Sequence, residues 1–314
     1  MNRESDMNVK QSLYTPTAIA AGAKRIVVLG AYGRLGQTFV DHFGGDHTVI
    51  PLDRDHIELG SAESIARVLE SHEFDVLILT AALTAVDHCE TNEEEAFAVN
   101  ADGPKNVAAI CARKGAKLVY IGTDFVFDGT ATGVYREDDP VNPISVYGAS
   151  KLKGEEYVMA ADADNLVIRI AWLYGPGAPA FPEWIIDKAC SESSLVLPAE
   201  KIGCPTYALD IAMWLDALLF GAGSEDASGV FHLCNSEPCT WQEWGQYCID
   251  VARDCGRPVK VDQIGASTMD SIEAFKAKRP VNSAMSTHKF QQVTEITPRS
   301  WKEALREHLE ENLK

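Results

Sequence analysis

Between Arg25 and Ile170 the chain alternates short apolar runs with longer amphipathic stretches. Arg25–Gly30 (RIVVLG) reads as a buried strand and Arg34–Phe43 as the helix after it. Strand Thr48–Leu52, helix Ala62–Ser71, strand Asp75–Thr80, helix Glu93–Lys114, strand Lys117–Ile121, helix Tyr147–Ala160 and strand Asn165–Ile170 follow. This rhythm predicts an α/β fold, a doubly wound parallel Rossmann sheet covered on both faces. Right-handed crossovers then place ligands at the carboxyl ends of the strands.

After Ile170 the pattern loosens into glycine and proline (YGPGAPAFPEW), and the chain is expected to leave the sheet. Helix Leu209–Phe220 and strand Gly229–Leu233 read as a return to it. Helices Thr240–Asp254 and Ser300–Asn312 are expected to build a smaller, discontinuous α+β substrate domain over the strand ends. The expected division is residues 25–170 plus about 206–235 for the dinucleotide-binding domain, and about 171–205 plus 236–314 for the substrate-binding domain. Residues 1–24 mix charged, polar and small side chains and are expected to form a flexible tail. Their one apolar stretch, around Ile19, is too short for a signal-peptide core.

Composition narrows the function classes. The chain has 314 residues, 46% of them apolar, enough for a sizeable core. A net charge of -18 repels phosphate backbones and anionic lipid, so neither a nucleic acid nor a membrane surface is an expected partner. No apolar run reaches the length of a transmembrane helix. The eight cysteines form no CxxC pair and several sit in apolar patterns, as buried thiols of a reducing compartment do; the cytoplasm is the expected location. Their spacing matches no common zinc pattern, so no metal site is expected.

Candidate chemistry begins at Gly30-Ala31-Tyr32-Gly33-Arg34-Leu35-Gly36, directly after the first strand. Glycines there allow a tight turn and let a pyrophosphate approach the free N–H groups and positive dipole of a helix start. Asp53 ends the second strand 20 residues beyond Gly33, where a carboxylate can hold ribose hydroxyls. Arg34 and Arg54 could each meet a 2′-phosphate, so NADPH and NADH both stay open as the cofactor. Tyr147 and Lys151 form YxxxK at a helix start, on one face and about a turn apart. An ammonium there is expected to bring the phenol, ordinarily near 10, toward a useful range. Thr123 ends the fourth strand, where its hydroxyl can hold a substrate carbonyl for hydride attack.

With these residues in place, the chain resembles the extended short-chain dehydrogenase/reductases, and within them the dTDP-4-dehydrorhamnose reductase family. The similarity runs from about residue 25 to the C-terminus. It is carried by Thr84–Asp87 (TAVD), Asn100 in AVNADGP, Thr123–Gly129 (TDFVFDG), YGASKLKGE, Arg169–Gly175 (RIAWLYG), Gly203–Tyr207 (GCPTY), and Arg279-Pro280 with Ser283. The resemblance implies NAD(P)H-dependent reduction of the 4-keto group of a dTDP-6-deoxy-hexose, with Tyr147 protonating the alkoxide, Lys151 tuning Tyr147 and holding the nicotinamide ribose, and Thr123 orienting the carbonyl. It implies cofactor contacts at Gly30, Tyr32, Gly33, Arg34, Leu35, Gly36, Asp53, Arg54, Ala81, Ala82 and Asn100, and at Tyr147 and Lys151 themselves. It implies substrate contacts at Thr84, Val86, Asp124, Phe125, Trp172 and Arg279. Some relatives dimerise, so a homodimer is left open.

The chain departs from the family pattern in four places. Leu79-Thr80-Ala81-Ala82-Leu83 stands where the family has Asn-Ala-Ala-Ala-Tyr, and Ala171 where it has serine. Glu200-Lys201 replaces an Asp-Gln pair, and Phe125 a tyrosine. These put the sugar and the cofactor preference in question. Two alternatives therefore stand beside the first reading: a reductase or epimerase for another nucleotide-linked keto-sugar, and a non-catalytic NADP-binding regulatory subunit resembling that of methionine adenosyltransferase.

Overall fold

The computed structural model describes residues 22–313. Most of the expected tail, residues 1–21, lies outside the described residues. Six strands form one parallel sheet: β1 (Arg25–Leu29), β2 (Thr48–Leu52), β3 (Val76–Leu79), β4 (Lys117–Thr123), β5 (Leu166–Ile170) and β6 (Gly229–His232). Their spatial order is β6-β5-β4-β3-β1-β2, so the winding reverses between β1 and β3. That reversal opens a crevice at the carboxyl ends of these two strands.

Because successive residues of a strand point to opposite faces, each strand feeds two cores. Ile26, Val28, Ile78, Val119 and Ile168 pack on one face against Phe39 and Phe43 of helix α1 (Arg34–Phe43). Val27, Leu29, Leu77, Leu118 and Val167 pack on the other against helices α2 (Ala62–Glu70) and α3 (Gly103–Lys114), with Val158 of helix α4 (Val146–Ala161). A third core joins helix α5 (Phe181–Ser191), which the glycine- and proline-rich stretch concealed, with Tyr174, Tyr207, helix α7 (Trp241–Asp254) and helix α9 (Trp301–Asn312). Between them in the chain, helix α6 (Ala208–Phe220) packs back on the first core and helix α8 (His288–Thr294) adds Phe290 to it.

The expected helix Glu93–Lys114 is interrupted. Helical turns Val86–Thr91 and Glu93–Phe97 are followed by a π-turn over Ala98–Asp102, and α3 starts only at Gly103. Pro104 has no N–H, so the Asn100 carbonyl loses its helical donor. The buried Tyr120 hydroxyl donates to that carbonyl instead, at 3.1 Å. The widened turn carries the Asn100 side chain across to the loop after β3. There it accepts from the Leu83 N–H (2.8 Å) and donates to the Leu83 carbonyl (3.0 Å) and to Ser150 Oγ (3.2 Å).

All eight cysteines are free thiols; six are buried and Cys190 and Cys255 half-buried. No described helix is long and apolar enough to cross a membrane.

Candidate active site

At the sheet's reversal lies a cleft of about 830 Å³. Its lining gathers Gly30, Tyr32, Gly33, Arg34, Leu35, Gly36, Asp53, Arg54, Ala81 and Ala82 at one end. Thr84, Val86, Thr123, Asp124, Phe125, Tyr147, Lys151 and Trp172 line the other.

The glycine turn is shaped by steric necessity. Gly30 has φ +99°, a conformation that side-chain-bearing residues rarely adopt. Gly36 packs so closely on the Gly30 carbonyl oxygen that an added Cβ would sit 2.0 Å from it. With Gly33 as N-cap, no side chain accepts from the first N–H groups of α1, and Gly33, Arg34, Leu35 and Gly36 line the cleft. The donor set fits a dinucleotide pyrophosphate. At the end of β2, Asp53 accepts from the Asp55 N–H and lies 2.5 Å from His56 Nδ1. Arg34 is otherwise engaged: its guanidinium donates to the carbonyls of Gly175, Pro176 and Ala178, joining the turn to the loop after β5. Arg54 is exposed and makes no ion pair among the described residues.

Ser145 caps α4, accepting from the Gly148 N–H at 3.2 Å, and so fixes the first helical turn from which Tyr147 projects. The Tyr147 ring stands edge-on to Phe125, at 5.3 Å between centroids. Tyr147 and Lys151 are both buried. Burial raises the Tyr147 phenol, and its side-chain contact with Thr123 only partly opposes this. This direction is opposite to the expected one. The reason is that Lys151 Nζ donates to the Ile121 carbonyl at 2.6 Å and lies 4.0 Å from the Tyr120 ring centroid, turned toward β4. Burial pushes the Lys151 ammonium down to about 7. Thr123 donates to Asp124 Oδ1 at 3.2 Å and accepts the Phe125 N–H at 3.2 Å.

Trp172 has φ +42°, an unusual backbone for so large a residue. Its ring stacks on Trp244, at 5.4 Å between centroids, and leaves no room for a side chain at Gly203. It serves the third core and lines the cleft at once.

Asn100 and Arg279 do not line the cleft. Asn100 braces the wall behind Leu83, as described above. Arg279 pairs with Asp87 (2.7 Å) and its guanidinium lies 3.6 Å from the Phe275 ring centroid. Asp87 also accepts the N–H groups of Lys276 (2.8 Å) and Ala277 (2.9 Å), so one carboxylate ties the segment 276–279 to the wall that begins at Thr84. Hydrogen bonds from Arg279 hold this carboxyl well below its ordinary range.

Sequence reasoning also missed Lys201. It is 1% exposed, and its ammonium donates to the Pro280 carbonyl and to Ser283 Oγ (3.2 Å) while facing Asp124. Burial raises the Asp124 carboxyl, against the pull of Lys201 and Ser283. The Glu-Lys departure from the family pattern marked this position, but nothing local revealed that the ammonium turns inward. Among the described residues, no group of three or more His, Cys, Asp or Glu side chains could hold a metal ion.

The chain matches the family model described as the RmlD substrate binding domain over residues 24–313. It is 32% identical to the dTDP-4-dehydrorhamnose reductase of Sinorhizobium fredii, covering 90% of this chain and 95% of that one. It is also 32% identical to the spore coat polysaccharide biosynthesis protein SpsK of Bacillus subtilis, covering 91% and 97%. Among solved structures it resembles the Bacillus anthracis dTDP-4-dehydrorhamnose reductase in complex with NADP, with TM-score 0.85, 28% identity, and 92% and 99% of the two chains covered.

Proposed function

The chain belongs to the RmlD family of dTDP-4-dehydrorhamnose reductases, NAD(P)H-dependent oxidoreductases, and from that membership we propose that it reduces dTDP-4-dehydro-L-rhamnose to dTDP-L-rhamnose. The observation that carries this reading is the joining of Thr123, Tyr147 and Lys151 to the glycine turn within one cleft.

In this reading Gly30, Gly33 and Gly36 let the pyrophosphate rest on the start of α1, and Asp53 accepts from the adenosine ribose hydroxyls. With Arg34 held by the loop carbonyls, Arg54 is the cation left to meet a 2′-phosphate, while Asp53 opposes one; this combination suits either NADPH or NADH. Bound nicotinamide supplies the hydride. Lys151 donates to the nicotinamide ribose, and Thr123 fixes the sugar keto oxygen at C4. Tyr147 protonates that oxygen as charge develops on it. A phenol held protonated by burial suits a donor, because its proton is present at neutral pH and leaves only toward a strongly basic alkoxide. Val86, Asp124, Phe125 and Trp172 face the sugar, and Thr84 with Arg279 the rest of the nucleotide.

The test is loss of reduced-nicotinamide absorbance on mixing the protein with dTDP-4-dehydro-L-rhamnose. No turnover with either NADPH or NADH refutes the reading. Tyr147→Phe is expected to lower kcat about 100-fold or more with cofactor affinity preserved; full activity would remove Tyr147 as the donor.

A further inference from the structure

Lys151 has a neighbour that the reaction does not use directly. Glu155 follows it by four residues on α4, which puts both side chains on one helical face. Glu155 is 3% exposed, and directly beneath it lies Arg169 of β5, 4% exposed. Arg169 donates to the carboxylate from Nε (3.1 Å) and Nη2 (2.8 Å). The pair occupies a notch in the sheet. Arg169 is in register with Gly122 of β4, and a Cβ on Gly122 would lie 2.5 Å from Glu155 Oε1. The glycine thus makes room for a carboxylate under the strand end whose Ile121 carbonyl holds Lys151.

A buried ion pair with no surface role is a weak source of stability, since the desolvation of both charges offsets their attraction. Its placement suggests another purpose. We propose that Glu155 is a positioning residue that keeps Lys151 protonated in the cleft, and that Arg169 keeps Glu155 ionised to do so. The claim rests on Lys151 being the cofactor-holding ammonium of the proposed function.

The charges agree in sign. Burial pushes Lys151 down, and Glu155 is the group that raises it. Burial pushes Glu155 up, and Arg169 leads the groups that hold it down, followed by Lys151. The other titratable groups facing this cluster are Tyr120 of β4, Tyr147 and Glu156 of α4, and, on the far side of Arg169, His232 of β6 and Glu137. None but Glu155 places an opposing charge on Lys151.

Removing the Glu155 charge lowers the pH at which Lys151 loses its proton. The experiment titrates NADPH into the full-length protein by fluorescence across a pH series, which reads Lys151 without requiring turnover. Glu155→Gln is expected to move the alkaline loss of NADPH affinity down by about 1 pH unit or more. Glu155→Gln leaves Arg169 buried without a partner and is prone to unfold, so Glu155→Gln/Arg169→Met is measured beside it. The double variant removes both charges, and is expected to fold yet keep the downward shift. An alkaline limb unmoved in the folded double variant overturns the proposal and assigns the pair to packing alone. If the alkaline limb shifts in the variants as expected but the native protein turns over no keto-sugar, the proposed function fails and this inference stands.

Discussion

Gly36→Ala tests the cofactor seat. The new Cβ would lie 2.0 Å from the Gly30 oxygen, 2.7 Å from the Gly30 carbonyl carbon and 2.9 Å from Ala31 Cα. All three obstacles are backbone atoms, and real Cβ contacts essentially never fall below 3.0 Å. The start of α1 must therefore part from the β1 turn by about 1 Å, at a cost of about 1–3 kcal/mol, as for other overpacked sites. The parting falls where the helix N–H groups meet the pyrophosphate. If bound cofactor resists it, affinity drops about 5- to 150-fold, the same free energy expressed as a binding constant. Fluorescence titration with NADPH measures the loss, and a urea melt reports how much of the cost falls on the fold. Gly45→Ala is the control, because a Cβ there meets nothing within 4 Å. Unchanged NADPH affinity and unchanged stability in Gly36→Ala would refute the seat.

Asp87→Ala is expected to free the 276–279 segment, raising KM for the nucleotide sugar several-fold while leaving the NADPH dissociation constant unaltered; steady-state kinetics and the fluorescence titration separate the two. Because the folded Asp87 carboxyl lies below its unfolded value, its stabilising share is complete above about pH 4 and is lost as pH falls below that. Urea midpoints of native and Asp87→Ala protein should therefore converge in acid. His232 is 0% exposed, and burial, with Arg169 nearby, holds it down to about 3. The unfolded chain takes up this proton near pH 6.5 and the folded chain does not, so native stability falls as pH drops from about 6.5 toward 3. His232→Phe should flatten that part of the stability–pH curve, measured by urea melts; a parallel curve would mean that His232 is not held neutral.

Much of this protein is written locally. Apolar runs of strand length placed all six strands of the sheet to within a residue or two, most clearly β1, β3, β4 and β5, where burial on both faces leaves few polar positions to blur the run. The glycine turn and the spacing of Tyr147 and Lys151 were legible too, because each depends on a few adjacent residues and one helical turn. The interrupted helix after β3 was not legible, since Pro104 alone could not say that the Tyr120 hydroxyl would take over the Asn100 carbonyl.

The tertiary structure decided which charges meet. Arg279 and Asp87 stand 192 residues apart in the chain, and Arg169 reaches Glu155 only because β5 lies beside a glycine of β4. Lys201 points inward to Ser283, 82 residues away, where sequence showed only a lysine in place of a glutamine. Periodicity and turn chemistry are short-range and survive in one dimension. The protonation of Lys151, Asp124 and Tyr147 depends on burial and on neighbours delivered by crossovers, and these exist only once the sheet has formed.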